Sequence, residues 1–169
     1  MKKNKNKVLV LLDLNAPTDE IISYTAKLAE EINADYEFFA VKKPTEIVNT
    51  DSQLSAMRSI NRDYINVTNK IKAIVAPLSN NVKVNIKTSF VIGNVKTEIE
   101  NKLNKTKPNI VVIGKRKQKN FNFMGDHITN VLYQKNDIAV LVASKNNTSN
   151  ILKDLPLRLV SQKRKELVL

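Results

Sequence analysis

The residues best placed to do chemistry lie between positions 114 and 127. Lys115, Arg116, Lys117 and Lys119 follow Gly114 directly, and Gly125-Asp126-His127 comes a few residues later. Cationic side chains between two glycines are the ingredients of an anion site. Glycine lets backbone N–H groups approach phosphate oxygens, and a helix N-terminus adds donors and a favourable dipole. Residue types alone leave three readings open: a solvated exposed loop, a phosphate or other anion site, and a nucleic-acid contact. Asp126 pulls against the second, because a carboxylate at the start of a helix caps the N–H groups a phosphate would use and repels the phosphate itself.

Other chemistries have less to stand on. His127 is the single histidine. At a helix N-terminus its imidazolium is disfavoured, it has no obvious nucleophile to serve, and as a metal ligand its companions would be only Asp13 and Asp126. The chain has no cysteine, which excludes a disulfide scaffold, a thiolate metal site and a Cys nucleophile, and fits a reducing cytoplasm. No paired carboxylates and no triad emerge, so a binding module is expected rather than an enzyme. Phe121 and Phe123 either anchor the loop by packing or form an exposed stacking pair.

These residues need a scaffold, and the apolar periodicity supplies one. Val8 to Leu12 is a continuous apolar run ended by Asp13-Leu14-Asn15-Ala16-Pro17, which suits a strand buried on both faces. Thr18 or Asp19 then caps a helix with Ile21, Tyr24 or Thr25, Leu28 and Ile32 on one side. Tyr36 to Val41 is a second strand. Leu54, Met57, Ile60, Tyr64, Val67, Ile71 and Ile74 mark a long helix, expected to end before Pro77 and to bury this stripe. Val82, Val84 and Ile86 alternate with polar residues, as in a strand at a sheet edge. Gly93-Asn94 opens a third helix with Ile99 and Leu103 inward. Ile110 to Ile113 is a fourth strand, a short helix spans about Asp126 to Gln134, and Ile138 to Val142 is a fifth strand. Such β-α alternation implies a three-layer α/β fold, with an open, mostly parallel five-stranded sheet and helices on both faces. Ligands in such folds sit beyond the C-terminal ends of the strands, which directs attention to the loops after Leu12, Val41 and Ile113.

Charge and length narrow the classes further. The 169 residues are enough for one domain, and their formal charge is +12, with 28 Lys plus Arg against 16 Asp plus Glu. Two thirds of that excess lies in residues 2–7 and 145–169, so the pI does not by itself imply a nucleic-acid groove, which needs charge clustered on a folded face. The first apolar run stops at Asp13, too soon for a secretory signal, and no stretch approaches the length of a membrane span, so no membrane partner is expected. Beyond Ser144 a polar linker leads to Leu152, Leu155, Leu157, Leu159 and Val160. This tail is either a partly disordered extension or an apolar segment that docks on a sister subunit or partner.

Six segments in order resemble the universal stress proteins: Val8 to Asp13, the first helix, Phe39-Ala40-Val41, Val91-Ile92-Gly93-Asn94, Ile110 to Gly114 and Ile138 to Val142. The resemblance spans roughly residues 7–144 and divides the chain into a basic arm (1–7), the domain (8–144) and a basic, apolar extension (145–169). It implies an adenine-nucleotide-binding, Rossmann-like fold and a cytoplasmic stress-response module. It also implies a homodimer formed through Ile138 to Val142. Carried over by position, ATP or another adenine nucleotide would lie near Leu12, Asp13 and Val41, with phosphates toward Gly114, Lys115, Arg116, Lys117, Gly125, Asp126 and His127, and with Mg only if ATP binds. Nucleotide-binding relatives carry Gly, two residues, Gly, nine residues, then Gly followed by Ser or Thr. Here Lys117 replaces the second Gly, seven residues precede Gly125, and Asp126 takes the hydroxyl position. The resemblance therefore implies a pocket with an altered phosphate loop.

Overall fold

The computed structural model describes residues 5–44, 53–114, 131–132, 134–144, 151–153 and 155–156. Its strands are β1 (Asn6–Leu12), β2 (Ala34–Lys42), β3 (Asn85–Ile92), β4 (Ile110–Gly114) and β5 (Ala139–Ala143). Its helices are α1 (Asp19–Glu31), α2 (Gln53–Asn81) and α3 (Val95–Thr106). The strands form one parallel sheet in the order β3-β2-β1-β4-β5. This is the α/β architecture expected from the periodicity, with β3 on an edge.

β1 lies at the centre because it can be buried from every side. Val8, Val10 and Leu12 point into a core shared with α1 and α2, while Leu9 and Leu11 point into a second core shared with α3. Each such aliphatic side chain contributes about 1.5–3 kcal/mol when fully buried. Ile21, Tyr24, Thr25 and Leu28 form the inward side of α1, and Ile32 just beyond it is also buried. Ile99 and Leu103 dock α3 on the other face. Asn94 caps α3 by accepting from the Thr97 N–H at 3.2 Å. Within the C-terminal extension, Ile151 and Leu155 are buried in the chain's own α1/α2 core.

Three expectations are corrected. The third strand begins at Asn85, not Val82, because its partner β2 begins at Ala34 and the first paired residues are Asp35 and Asn85. Val82, Val84 and Ile86 still pack against the α1/α2 core.

Nor does α2 end before Pro77; it continues to Asn81 with Pro77 inside. Val75 and Leu78, each 2% exposed, hold the last turns on the sheet, while Pro77 faces solvent. Core packing here outweighs the lost backbone hydrogen bond.

The apolar stripe of α2 is also only partly core. Val67, Ile71, Val75 and Leu78 are buried, but Leu54 is 72% and Met57 64% exposed, with Tyr64 and Ile65 also exposed. The reason is length: 29 residues make a helix of about 43 Å at 1.5 Å per residue. Strands of seven to nine residues reach only about 23–30 Å. The Lys42–Asp63 ion pair and the Tyr64–Phe90 ring contact at 5.5 Å mark where the helix leaves the sheet.

One polar network sits between α3 and the edge of the sheet. Lys102 Nζ lies 2.5 Å from Glu37 Oε1, Ser89 Oγ donates to the same oxygen at 2.8 Å, and the ammonium lies 5.0 Å from the Phe39 ring centroid. Burial pushes the Glu37 carboxyl up, but the hydrogen bonds from Lys102 and Ser89 more than offset this and hold it below its ordinary value.

Two predictions follow from this packing. Pro77→Ala is expected to raise stability by about 1–3 kcal/mol, read from the urea midpoint, because it restores a donor and removes a clash in an exposed helix interior. A depressed folded-state carboxylate stabilises fully above its unfolded value and loses that contribution as pH falls through the folded one. Glu37→Gln should therefore cost about 1–3 kcal/mol at pH 7 and make unfolding less steep in acid, checked by thermal melts between pH 7 and pH 3.

Candidate functional site

The sheet order sets where a crevice must open. From β1 the chain moves outward through β2 to β3, then crosses back to β4 on the other side of β1. The connections leaving β1 and β4 therefore diverge to opposite faces, and a gap opens beyond the C-terminal ends of these two strands. α1 follows β1 on one face, and Val131 and Leu132, which come after β4 in the chain, are buried in the core on the other.

The register shows which residues border it. Leu12 is level with Ala40, and Leu11 with Ile113, so Gly114 stands one step on, beside Leu12. Asp13 is next after Leu12, at the level of Val41, which pairs with Val91. Leu12, Asp13, Val41 and Gly114 thus converge at one end of three adjacent strands.

Their environments differ. The Leu12 side chain is buried in the α1/α2 core, while Val41 is half-buried and packs against the opposite core. Asp13 is exposed, and its Oδ1 accepts from the Asn15 N–H at 3.0 Å. Its backbone carbonyl accepts from the Ala16 N–H at 3.2 Å, so the carboxylate is held in a tight turn at the lip of the gap. At Gly114 an added Cβ would meet no atom of the described residues within 4 Å, and its φ is not positive. Glycine here keeps space open rather than satisfying a backbone conformation.

Two contacts at this end were not foreseen from sequence. Lys42 Nζ pairs with Asp63 Oδ2 at 2.5 Å, tying the end of β2 to α2, and Lys70 Nζ donates to the Leu14 carbonyl at 3.0 Å, tying the β1 loop to the same helix. The Gly93 N–H donates to the Lys42 carbonyl at 3.0 Å, which closes the end of β3 onto β2. Nothing in the local sequence around Lys42 or Lys70 signals these partners, because each depends on where α2 crosses the sheet.

Lys115, Arg116, Lys117, Lys119, Gly125, Asp126 and His127 lie outside the described residues, as do Phe121 and Phe123. Among the described residues no group of three His, Asp or Glu side chains could hold a metal ion, and no helix is long and apolar enough to cross a membrane.

No family model and no curated protein matches the sequence. Solved structures match in fold. The universal stress protein UspA from Lactobacillus plantarum matches with a TM-score of 0.62 at 14% identity, over 85% of this chain and 100% of its own. The universal stress protein from Archaeoglobus fulgidus in complex with dAMP gives 0.51 at 12% identity, over 82% and 98%. A universal stress protein in complex with cAMP gives 0.51 at 14% identity, over 82% and 96%. With a parallel five-stranded sheet ordered β3-β2-β1-β4-β5 and a crossover that reverses strand order at β1 and β4, the chain has the fold of the universal stress proteins.

Proposed function

We propose that this protein is a cytoplasmic universal stress protein that acts as a regulatory binding module rather than an enzyme, and that its ligand is an adenine nucleotide held at the gap between β1 and β4. The observation that carries this reading is that no described residue fills the space in front of Gly114, beside Asp13 and Val41, at the point where the strand order reverses. Structural neighbours that share the fold are complexes with dAMP and cAMP, which supports the choice of nucleotide.

In this reading Asp13 faces the sugar, Val41 lies against the base, and the phosphates extend past Gly114 toward the basic loop. Lysine and arginine side chains take over part of the work that backbone N–H groups do in a glycine-rich loop. A flexible ammonium loses more conformational freedom on binding than a preformed backbone cradle, and Asp126 repels the phosphates, so binding is weaker than in proteins with the full glycine pattern. Magnesium enters only with a polyphosphate. The dimer forms through β5, an edge strand on which Val140, Val142 and the preceding Ile138 are only half-buried.

A second reading is favoured by the overhang of α2. Leu54, Met57, Tyr64 and Ile65 place exposed apolar surface on one stretch of helix, as expected of a protein-interaction module that needs no nucleotide.

Calorimetric titration with Mg-ATP and AMP separates the two. The expected result is binding weaker than about 10 μM, about −6.8 kcal/mol or less favourable, with a further loss of at least fivefold in Lys117→Ala. Tight binding unaffected by Lys117→Ala would sink the claim of an altered phosphate site. Gly114→Leu is expected to abolish nucleotide binding while moving stability by no more than about 0.5 kcal/mol, because the added side chain enters open space. No nucleotide binding by the wild type, and none released on denaturation by mass spectrometry, would favour the interaction module.

A further inference from the structure

The opposite end of the sheet carries a second feature. At the N-terminal ends of β1, β4 and β5, Lys7, Lys105, Lys107 and Lys135 are all exposed. They are gathered by a short set of hydrogen bonds. The Lys7 N–H donates to Asn109 Oδ1 at 2.9 Å, the Asn109 N–H donates back to the Lys7 carbonyl at 2.9 Å, and the Ala139 N–H donates to the Asn109 carbonyl at 2.9 Å. Asn109 thereby clamps the starts of three strands together. Lys7 Nζ reaches the Thr106 carbonyl at 3.3 Å and Lys135 Nζ reaches Asn104 Oδ1 at 3.0 Å, so both ammonium groups converge on the last turn of α3.

The described partners of these two ammonium groups are neutral oxygens. The ion pairs among the described residues are Lys5–Asp35, Lys42–Asp63, Lys96–Glu100 and Lys102–Glu37, and none includes Lys7, Lys105, Lys107 or Lys135. Carboxylates also lie at this rim: Asp35, which stands beside Lys7 across β1 and β2 and pairs with Lys5 at 3.2 Å, and Asp137, two residues from Lys135. Lys5, Lys7, Lys105, Lys107 and Lys135 outnumber these carboxylates, and Glu30 and Glu31 lie at the end of α1 on the other face of the sheet, so the rim is net positive on the α3 side.

The dipole of α3 favours positive charge at its C-terminus, but it does not call for a residue with a Cβ in the left-handed position that closes the helix. Lys107 is the only non-glycine residue with positive φ among those described, at φ 45°. Glycine or asparagine ordinarily fills that position, and a side chain with a Cβ costs about 1 kcal/mol there. The chain accepts that cost at a point where the residue adds charge to the rim.

We infer that this basal rim is a docking surface for the phosphate backbone of nucleic acid, separate from the gap at the other end of the sheet. Lysines serve as point charges for phosphates, and exposed Asn104 adds a neutral hydrogen-bonding group that suits backbone contact without base readout. A membrane surface fits less well, since interfacial binding needs apolar side chains to insert. The exposed large apolar residues described are all on α2. A protein partner also fits less well, because protein interfaces favour aromatic residues and Arg and are depleted in Lys.

The test is fluorescence anisotropy with the full chain and a labelled 20-bp duplex of mixed sequence, between 50 and 200 mM KCl. The expected log–log salt slope is about −3 to −4, near −0.9 per phosphate neutralised. Lys105→Gln with Lys107→Gln should reduce the magnitude of the slope by about two and weaken binding about tenfold at 100 mM salt. Lys115→Gln with Lys117→Gln, in the loop at the other end, should leave both nearly unchanged. Lys107→Gly keeps the fold in question out of the result: it should raise the melting temperature while reducing the slope by about one. The proposal is overturned by absence of binding at 50 mM KCl, by a slope that the rim variants do not alter, or by a loss that follows the loop variant instead. Binding to vesicles containing phosphatidylserine without binding to the duplex overturns it too.

Discussion

The molecule depends on β1 being acceptable to apolar surroundings on both faces and to a parallel partner on both edges. Val8 to Leu12 meets both conditions at once, with alternate side chains feeding separate cores and the backbone paired to β2 and β4. From that constraint the rest follows in order. Two helices must cover one face and α3 the other, the chain must return across β1 to reach β4, and the return must leave a gap at one end. The candidate site therefore lies where enclosing a doubly buried strand reverses the strand order.

The two ends of the sheet are built differently. At the C-terminal end, contacts run from strand tips to α2 through Lys42–Asp63 and Lys70–Leu14, and no described residue fills the space before Gly114. At the N-terminal end, Asn109 stitches β1, β4 and β5 together, and the surface is closed and charged. Between them, the Glu37–Lys102–Ser89 network fixes α3 on the sheet by directional bonds where the apolar cover is thin.

The fold was legible because its signals are local and redundant. The apolar run at β1, the inward residues of α1, and the Asn94 cap with Ile99 and Leu103 each identify their element without knowledge of the rest. What was misread depended on partners. The start of β3 is decided by where β2 begins, the persistence of α2 past Pro77 by the burial of Val75 and Leu78, and the exposure of Leu54 and Met57 by the length of the strands beneath. Asp13, Val41 and Gly114 were legible as strand-end residues of the candidate site, because strand ends can be read from sequence. Lys42 and Lys70 were not, because their roles follow from a helix crossing, and Lys107 was not, because a left-handed lysine has no sequence signature.

The pairing of Val8 with Ile110 also has a meaning in time. Parallel strands have no hairpin to bring them together, and this pairing closes the centre of the sheet across a long stretch of chain. At synthesis rates of about 5–20 residues per second, β1 waits roughly 5–20 s for β4 to be made. Through that interval one edge of the most apolar strand can be paired with β2 while the other has no native partner yet. The strand that gives the finished protein its centre is thus, on the ribosome, left with one open edge until most of the sheet has been made.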